Sequence, residues 1–263
     1  MSRAVLKRRS VLLAELSQIV NAMRNLSIAA LQKLGKAAEV EREAEQWVLQ
    51  ALADLDAKLP HPGGKEICLI IGSERGFCGG FNNRLAEFTR HYLTQHEVAH
   101  CFAAGARLTP LLQGCHADLT ELAGCADMED AVHAVAEWLP ILLPDVTQLT
   151  PITLIYQDDE GVVARALLPL PALPKPNPGA TPLRYLPDAQ LTAELISEWL
   201  RLALLSRLTR SLTLEHRWRL NQMQRAEHYL EEAGAKLKSV MQRQRQNEIT
   251  VELENLMSAL EVG

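Results

Sequence analysis

Proline and glycine are nearly absent from both ends of this chain. Residues 1–59 contain no proline and one glycine, Gly35; residues 188–263 contain no proline and two glycines, Gly234 and Gly263. All thirteen prolines and eleven of the fourteen glycines fall between Pro60 and Pro187. Helix breakers are therefore confined to the middle, and nothing in the end segments forces a helix to stop. The five cysteines (Cys68, Cys78, Cys101, Cys115, Cys125) form no CxxC pair and no Cys/His spacing suited to a metal, and such a scattered set fits free thiols in a reducing compartment. No run of about 18 apolar residues occurs, so no segment reads as a membrane-spanning helix. The start, MSRAVLKRRSVLLAEL, has basic residues but neither a sustained apolar stretch nor a small-residue cleavage site, unlike a secretory signal.

What is present is enough for a core. Of 263 residues, 48% are hydrophobic and 22% charged, which fits one large domain or two ordinary ones and excludes disorder by composition. The net charge of −5 hides an uneven spread. Residues 1–60 carry nine Lys or Arg against seven Asp or Glu, residues 201–263 ten against eight, and residues 61–200 eight against seventeen. Mildly basic ends and an acidic middle face different neighbours, and ends of only +2 argue against a nucleic-acid partner.

Both ends carry helical periodicity. Leu12, Leu16, Ile19, Met23, Leu26 and Ala30 step by four and three, and so do Leu220, Met223, Ala226, Leu230, Ala233, Leu237 and Val240. Such spacing builds a narrow coiled-coil seam. At 1.5 Å per residue, 59 helical residues would span roughly 90 Å, more than a domain of this size is wide. The alternatives are a bundle of shorter helices, or two long helices from opposite ends of the chain paired antiparallel. The middle reads as strand (65–72), helix (about 80–95), strand (97–105), helix (126–143) and two strands (151–159 and 161–170) joined by an acidic turn. It is expected to form a small Rossmann-like α/β domain with a largely parallel sheet, followed by a proline-rich loop over 171–188. The expected division is thus 1–60 and 188–263 as coiled-coil helices around an α/β domain at 61–187.

One stretch, IGSERGFCGGFNN (71–83), places four glycines after a β-branched run and before a helix, where nucleotide-binding proteins often hold phosphate. The pattern is not met. There is no lysine as in GxxxxGK[ST], and glycines at 72, 76, 79 and 80 do not make GxGxxG. A tight strand-to-helix turn is the plainer reading, with anion binding as the alternative. No GxSxG or HExxH occurs, His91, His96 and His100 fall across a turn, and Cys78 has no identifiable base. No catalytic, cofactor-binding or metal-binding residue is therefore assigned.

Taken together, several segments resemble the gamma subunit of F-type ATP synthases. SERGFCGGFN (73–82) is similar to that family's SDRGLCGGLN, and RQNEITVELENLMSAL (245–260) to RQAxITxELxEIVxGA. EHRWRLNQMQRA (215–226), SQIVNAM (17–23, against TxKITKAM), LLPL (167–170) and YLPD (185–188, against YEPD) follow in family order. Departures mark a divergent member: Leu16 replaces a threonine, Asn21 a lysine, Glu74 an aspartate, Phe77 a leucine and Leu186 a glutamate. The resemblance implies a non-catalytic central-stalk rotor without cofactor, peripheral on the cytoplasmic face of a membrane. Its implied partners are the alpha and beta subunits, the epsilon subunit and the membrane c-ring. It places Arg245, Gln246, Thr250, Met23, Arg219 and Met223 against the alpha/beta head, although Met23 and Met223 also have the spacing of ordinary helix packing. It places Arg75, Cys78, Gly79, Gly80, Tyr185 and Asp188 in the foot, on the epsilon and ring side. Ile249, Leu253, Leu256 and Leu260 would form an apolar face at the end of the C-terminal helix.

Overall fold

The computed structural model describes residues 3–59, 61–116, 118–142, 150–178 and 183–261. Two helices dominate: α1, Arg3–Asp54, of 52 residues, and α5, Asp188–Glu261, of 74 residues. Between them lie β1 (Glu66–Ile71), α2 (Phe81–Gln95), β2 (Val98–Ala104), α3 (Thr109–Leu112), β3 (Leu119–Leu122), α4 (Met128–Leu142), β4 (Ile152–Asp158) and β5 (Gly161–Leu168). The long helices are unbroken because nothing in them breaks a helix. α1 stops where Asp56 turns to a φ of 51°, with Asp56 and Ala57 donating back to the carbonyls of Ala53 and Leu52.

The chain divides into two compact units, Ser27–Arg219 and Met1–Leu26 with Leu220–Gly263. The larger unit holds a five-stranded sheet in the order β3-β2-β1-β4-β5, parallel except for the β4–β5 hairpin. The short elements α3 and β3 are additional to those expected from the sequence. LTEL (119–122) is an edge strand too short to show an alternation. In β1, Cys68 and Ile70 face one side with Leu85 and Ala86 of α2 and Leu108 and Leu112 by α3. Leu69 and Ile71 face the other, packed in one core with Leu34 and Leu52 of α1, Trp138 of α4 and Trp199, Ala203, Leu204 and Leu208 of α5. A parallel strand covered on both faces must be apolar at every position, which is why ICLII reads as a run.

Within this unit α1 and α5 are antiparallel layers of the core. Arg207 reaches Glu45 at 2.8 Å, and the Thr209 hydroxyl donates to Glu41 at 3.0 Å. Glu41 is buried, and loss of solvation raises its pKa.

The smaller unit pairs the start of α1 with the end of α5, antiparallel, with Arg24 Nη1 donating to both Glu227 carboxylate oxygens at 2.7 and 2.9 Å. On α5 the expected seam holds: Met223 and Leu237 are buried, and Leu220, Ala226, Leu230 and Ala233 partly so, while Val240 is exposed. On α1 four residues of the seam expected from the sequence face away, while Met23 and Ala30 are half-buried. Leu12, Leu16, Ile19 and Leu26 are each about half or more exposed. The inward stripe of this unit is one position on, through Leu6, Leu13, Ser17, Val20 and Arg24. Two stripes of heptad spacing lie side by side on this helix, and the sequence pattern favoured the more apolar one.

Candidate functional site

The glycine loop begins where β1 ends, at the carboxyl edge of the parallel strands. Its first job is close packing. A side chain on Gly72 would meet Leu108 Cβ at 2.4 Å, and one on Gly105 would meet the Gly72 carbonyl carbon at 2.8 Å. Gly105 also has a φ of +111°, and a Cβ on Gly124 would lie 2.4 Å from Glu74 Oε2. The strand ends therefore approach so closely that only glycine fits at all three.

The polar groups of the loop are then spent inside the protein. Ser73 N–H donates to Asn82 Oδ1 at 3.0 Å, and Asn82 Nδ2 returns a bond to Ser73 Oγ at 2.7 Å. Glu74 Oε2 accepts from the Ala106 and Gly124 amides at 2.9 and 3.2 Å, tying together the loops after β1, β2 and β3. Gln157, at the end of β4, donates to the Phe81 carbonyl at 2.6 Å. Cys78 is buried beneath Ser73, and burial pushes its thiol up, away from the reactive thiolate.

The loop also presents the wrong polarity for phosphate. Arg219 of α5 donates to the carbonyls of Gly76 (3.1 Å) and Arg75 (3.3 Å). An anion cradle aims amide hydrogens at its ligand; here carbonyls converge on a cation of the chain itself. Open α/β sheets bind ligands where the strand order reverses, between β1 and β4 in this sheet. The loop at the end of β1 is held there by α5.

Arg219 is the centre of a buried node that sequence reasoning did not find. It pairs with Glu215, and its Nη1 donates to His216 Nδ1 at 3.2 Å. With Nδ1 accepting, Nε2 carries the proton toward the Ala126 carbonyl at 3.3 Å. Burial pushes Glu215 up, opposed by the Arg219 charge. Burial first, and Arg219 second, push His216 down to about 4, so it is neutral in the folded protein. The signal available in the sequence was the i,i+4 spacing of Glu215 and Arg219 on one helix face.

The residues expected to face the alpha/beta head fall into two environments. Arg219 and Met223 are 4% and 3% exposed, and Met23 is half-buried. Within the chain, the Arg219 guanidinium has carbonyl, carboxylate and imidazole partners. Arg245, Gln246 and Thr250 are exposed, with the Thr250 hydroxyl turned back onto the Gln246 carbonyl at 3.0 Å. Beside them Ile249, Leu253 and Leu256 are exposed; the side chain of Leu260 lies outside those described.

The expected foot residues do not form one surface. Arg75 and Gly79 are exposed and Gly80 half-buried near Arg219, Gly79 at a φ of 60° and Gly80 capping α2. Tyr185, 91% exposed, lies three residues before α5, and Asp188 begins it, pairing with Arg184 at 2.7 Å. Asp188 and Arg219 are about 46 Å apart along the unbroken helix, so the glycine loop and the YLPD segment sit at opposite ends of this stretch. In sequence both segments carry family motifs, and the motifs say nothing of which end of the sheet each occupies.

The model of the ATP synthase family matches residues 2–262. The chain belongs to the ATP synthase gamma-chain family. Similar relatives are the gamma chains of Rhizobium rhizogenes (strain K84), 24% identical, and Sinorhizobium medicae (strain WSM419), 26% identical, each alignment covering 97% of both chains. Among solved structures, a chain of the Euglena gracilis mitochondrial ATP synthase OSCP/F1/c-ring matches 98% of this chain and 93% of its own length, with a TM-score of 0.60 at 14% identity. A chain of the rotor from the same organism gives a TM-score of 0.58 at 13% identity, covering 94% of this chain and 98% of its own. At that identity the structural likeness speaks for the fold. In this chain the glycine motif packs the strand ends closely and anchors them to α5.

Proposed function

We infer that this gamma chain is the central-stalk rotor of a rotary F-type ATP synthase, a non-catalytic subunit that couples ion flow to ATP synthesis or hydrolysis. The observation that carries the reading is the family match over residues 2–262 together with two unbroken helices of 52 and 74 residues from opposite ends of the chain. A torque-bearing element needs stiffness, and proline-free helices supply it. Catalysis lies in the beta subunits, and the chain sits peripherally on the cytoplasmic face of its membrane; among the described residues no helix is long and apolar enough to cross one.

Arg245, Gln246 and Thr250 are the head contacts. An exposed guanidinium holds a carboxylate bidentately with a definite angular preference, so it distinguishes one orientation of a partner from another. The exposed apolar residues Ile249, Leu253 and Leu256 add a contact face without deep interlocking. Exposed Lys7, Arg8 and Arg9 on α1 meet acidic segments of the beta subunits. Tyr185 and Asp188 face the epsilon subunit and c-ring.

The test is co-purification with candidate alpha and beta subunits, followed by ATPase assay. One copy per three beta subunits, with coupled activity dependent on it, is expected. A chain that stays apart and binds nucleotide alone would reject the reading. Within the complex, Arg245→Ala should reduce coupled turnover while leaving the chain's melting unchanged, because the side chain is exposed.

A further inference from the structure

One buried position of α1 carries a carboxyl where the core calls for an apolar group. In the larger unit Leu34, Glu41 and Val48 recur every seven residues, the spacing at which a helix returns the same face to its neighbour. Leu34 is 1% exposed, and Val48 packs on the same core. Glu41 lies between them at 5% exposure. A leucine there would be stabilising. A carboxylate is the costly choice, because an ion taken out of water needs partners for its charge and for its lone pairs.

The surroundings of Glu41 supply too few partners for an ion. From α5 the Thr209 hydroxyl donates to Oε1 at 3.0 Å. Oε2 is buried with no hydrogen-bond partner among the described residues. Arg207 of α5 is committed elsewhere: its Nη1 donates to both Glu45 oxygens at 2.8 Å and to the Ala203 carbonyl at 3.0 Å. Arg210 attracts a negative charge at Glu41 but is exposed, where solvent weakens the attraction. Glu45, one turn along α1, repels it. From α4, Met128 brings its sulfur to the Thr209 hydroxyl at 3.7 Å and adds no charge. Tyr156 of β4, which feels the same two arginines, is buried, and burial keeps its phenol protonated. Loss of solvation is therefore the largest influence on Glu41 and favours its neutral form. A protonated carboxyl leaves one polar group short of a partner. An ionised one leaves a whole charge short, at greater cost.

We propose that Glu41 is a proton-controlled latch between α1 and α5: protonated, it keeps the two helices closed in the larger unit, and ionised, it drives its stretch of α1 off α5 to reach water. The sign follows from burial. A carboxyl whose pKa is raised on folding stabilises fully below its unfolded value near 4.5, and that contribution is lost as pH rises through the folded value. The latch lies within the larger unit and does not depend on the central-stalk reading.

The experiment is amide hydrogen exchange along α1 in the full chain, comparing wild type, Glu41→Gln and Glu41→Leu at pH 5 and pH 8. Glutamine keeps the shape and cannot ionise, and leucine completes the apolar repeat. Comparing variants at one pH removes the intrinsic pH dependence of exchange. Each pKa unit is a factor of ten in the opening equilibrium, so the exchange rate of wild type relative to Glu41→Gln around position 41 is expected to rise about threefold or more from pH 5 to pH 8. Glu41→Leu is expected to exchange more slowly than wild type at pH 8. At pH 5 the infrared spectrum of wild type is expected to hold a protonated-carboxyl band that Glu41→Gln lacks. A ratio of wild type to Glu41→Gln that stays constant or falls would overturn the proposal, as it would show a carboxylate that is ionised and satisfied throughout. An equal rise along β1 would overturn it too, because that marks global unfolding rather than opening of this contact.

Discussion

The same two helices are built differently in the two units. Between Ile196 and Leu212, α5 is buried on nearly every side, since the sheet, α4 and α1 surround it. Beyond Leu220 only a narrow stripe is covered, Met223 and Leu237 being its most buried members. α1 changes in the same sense. Leu34 and Leu52 are at most 1% exposed in the larger unit, whereas Leu12, Leu16, Ile19 and Leu26 of the smaller unit are all exposed. A helix inside a layered core draws its stability from area removed from water. A helix in a two-stranded pair draws on one seam and leaves the rest of its surface for other proteins.

The sharpest test of this contrast is at the node that anchors the glycine loop to α5. Arg219→Ala leaves the buried Glu215 carboxylate and two loop carbonyls without their partner, and should destabilise the larger unit by about 3–5 kcal/mol. Chemical denaturation of the isolated chain measures this, and a loss under about 1 kcal/mol would mean that the node is not structural. Next in size is a matched pair of core truncations. Leu208→Ala in the larger unit should cost about 2–5 kcal/mol. Leu230→Ala, half-buried in the seam, should cost clearly less, and equal costs would erase the distinction between the units. Smaller still, Leu16→Ser in the isolated chain should fall within about 0.5 kcal/mol of wild type, because this side chain faces solvent. A large loss there would restore the seam expected from the sequence.

The same node carries a pH dependence with two opposing parts. His216 is held below its ordinary value, so its contribution is lost as pH falls from the unfolded value near 6.5 toward about 4. Glu215 is raised above its ordinary 4.5, so its contribution is present at low pH and lost as pH rises from there toward neutrality. Over the shared window the two slopes oppose each other. His216→Gln removes one of them, and stability measured at pH 5 and pH 7 should then favour pH 5 more than in wild type. An unchanged difference would mean that His216 does not titrate on unfolding as its burial implies.

Much of the fold was legible because its signals are local. Proline-free ends, a β-branched run at 67–71 and the motif SERGFCGGFN each report on a few neighbouring residues. The phase of the α1 seam was not legible. Leu12, Leu16, Ile19 and Leu26 make a more apolar stripe than Leu6, Leu13, Ser17, Val20 and Arg24, yet the mixed stripe faces α5, where Arg24 finds Glu227. Nor was the separation of Arg75 from Asp188, which follows from Arg75 lying against Arg219, well along α5 from its start at Asp188.

The sequence by itself determined that both end segments are helical and free of proline, that an α/β unit lies between them and that the glycine loop matches neither phosphate-binding motif. These follow from backbone sterics and from the donors and acceptors each residue carries. Only the tertiary structure decided that Arg219 turns inward to hold that loop, that the most apolar stripe of α1 faces out, and that Glu41 is buried against Thr209. Those outcomes depend on partners distant in sequence, and burial and electrostatics act between whichever groups the fold brings together.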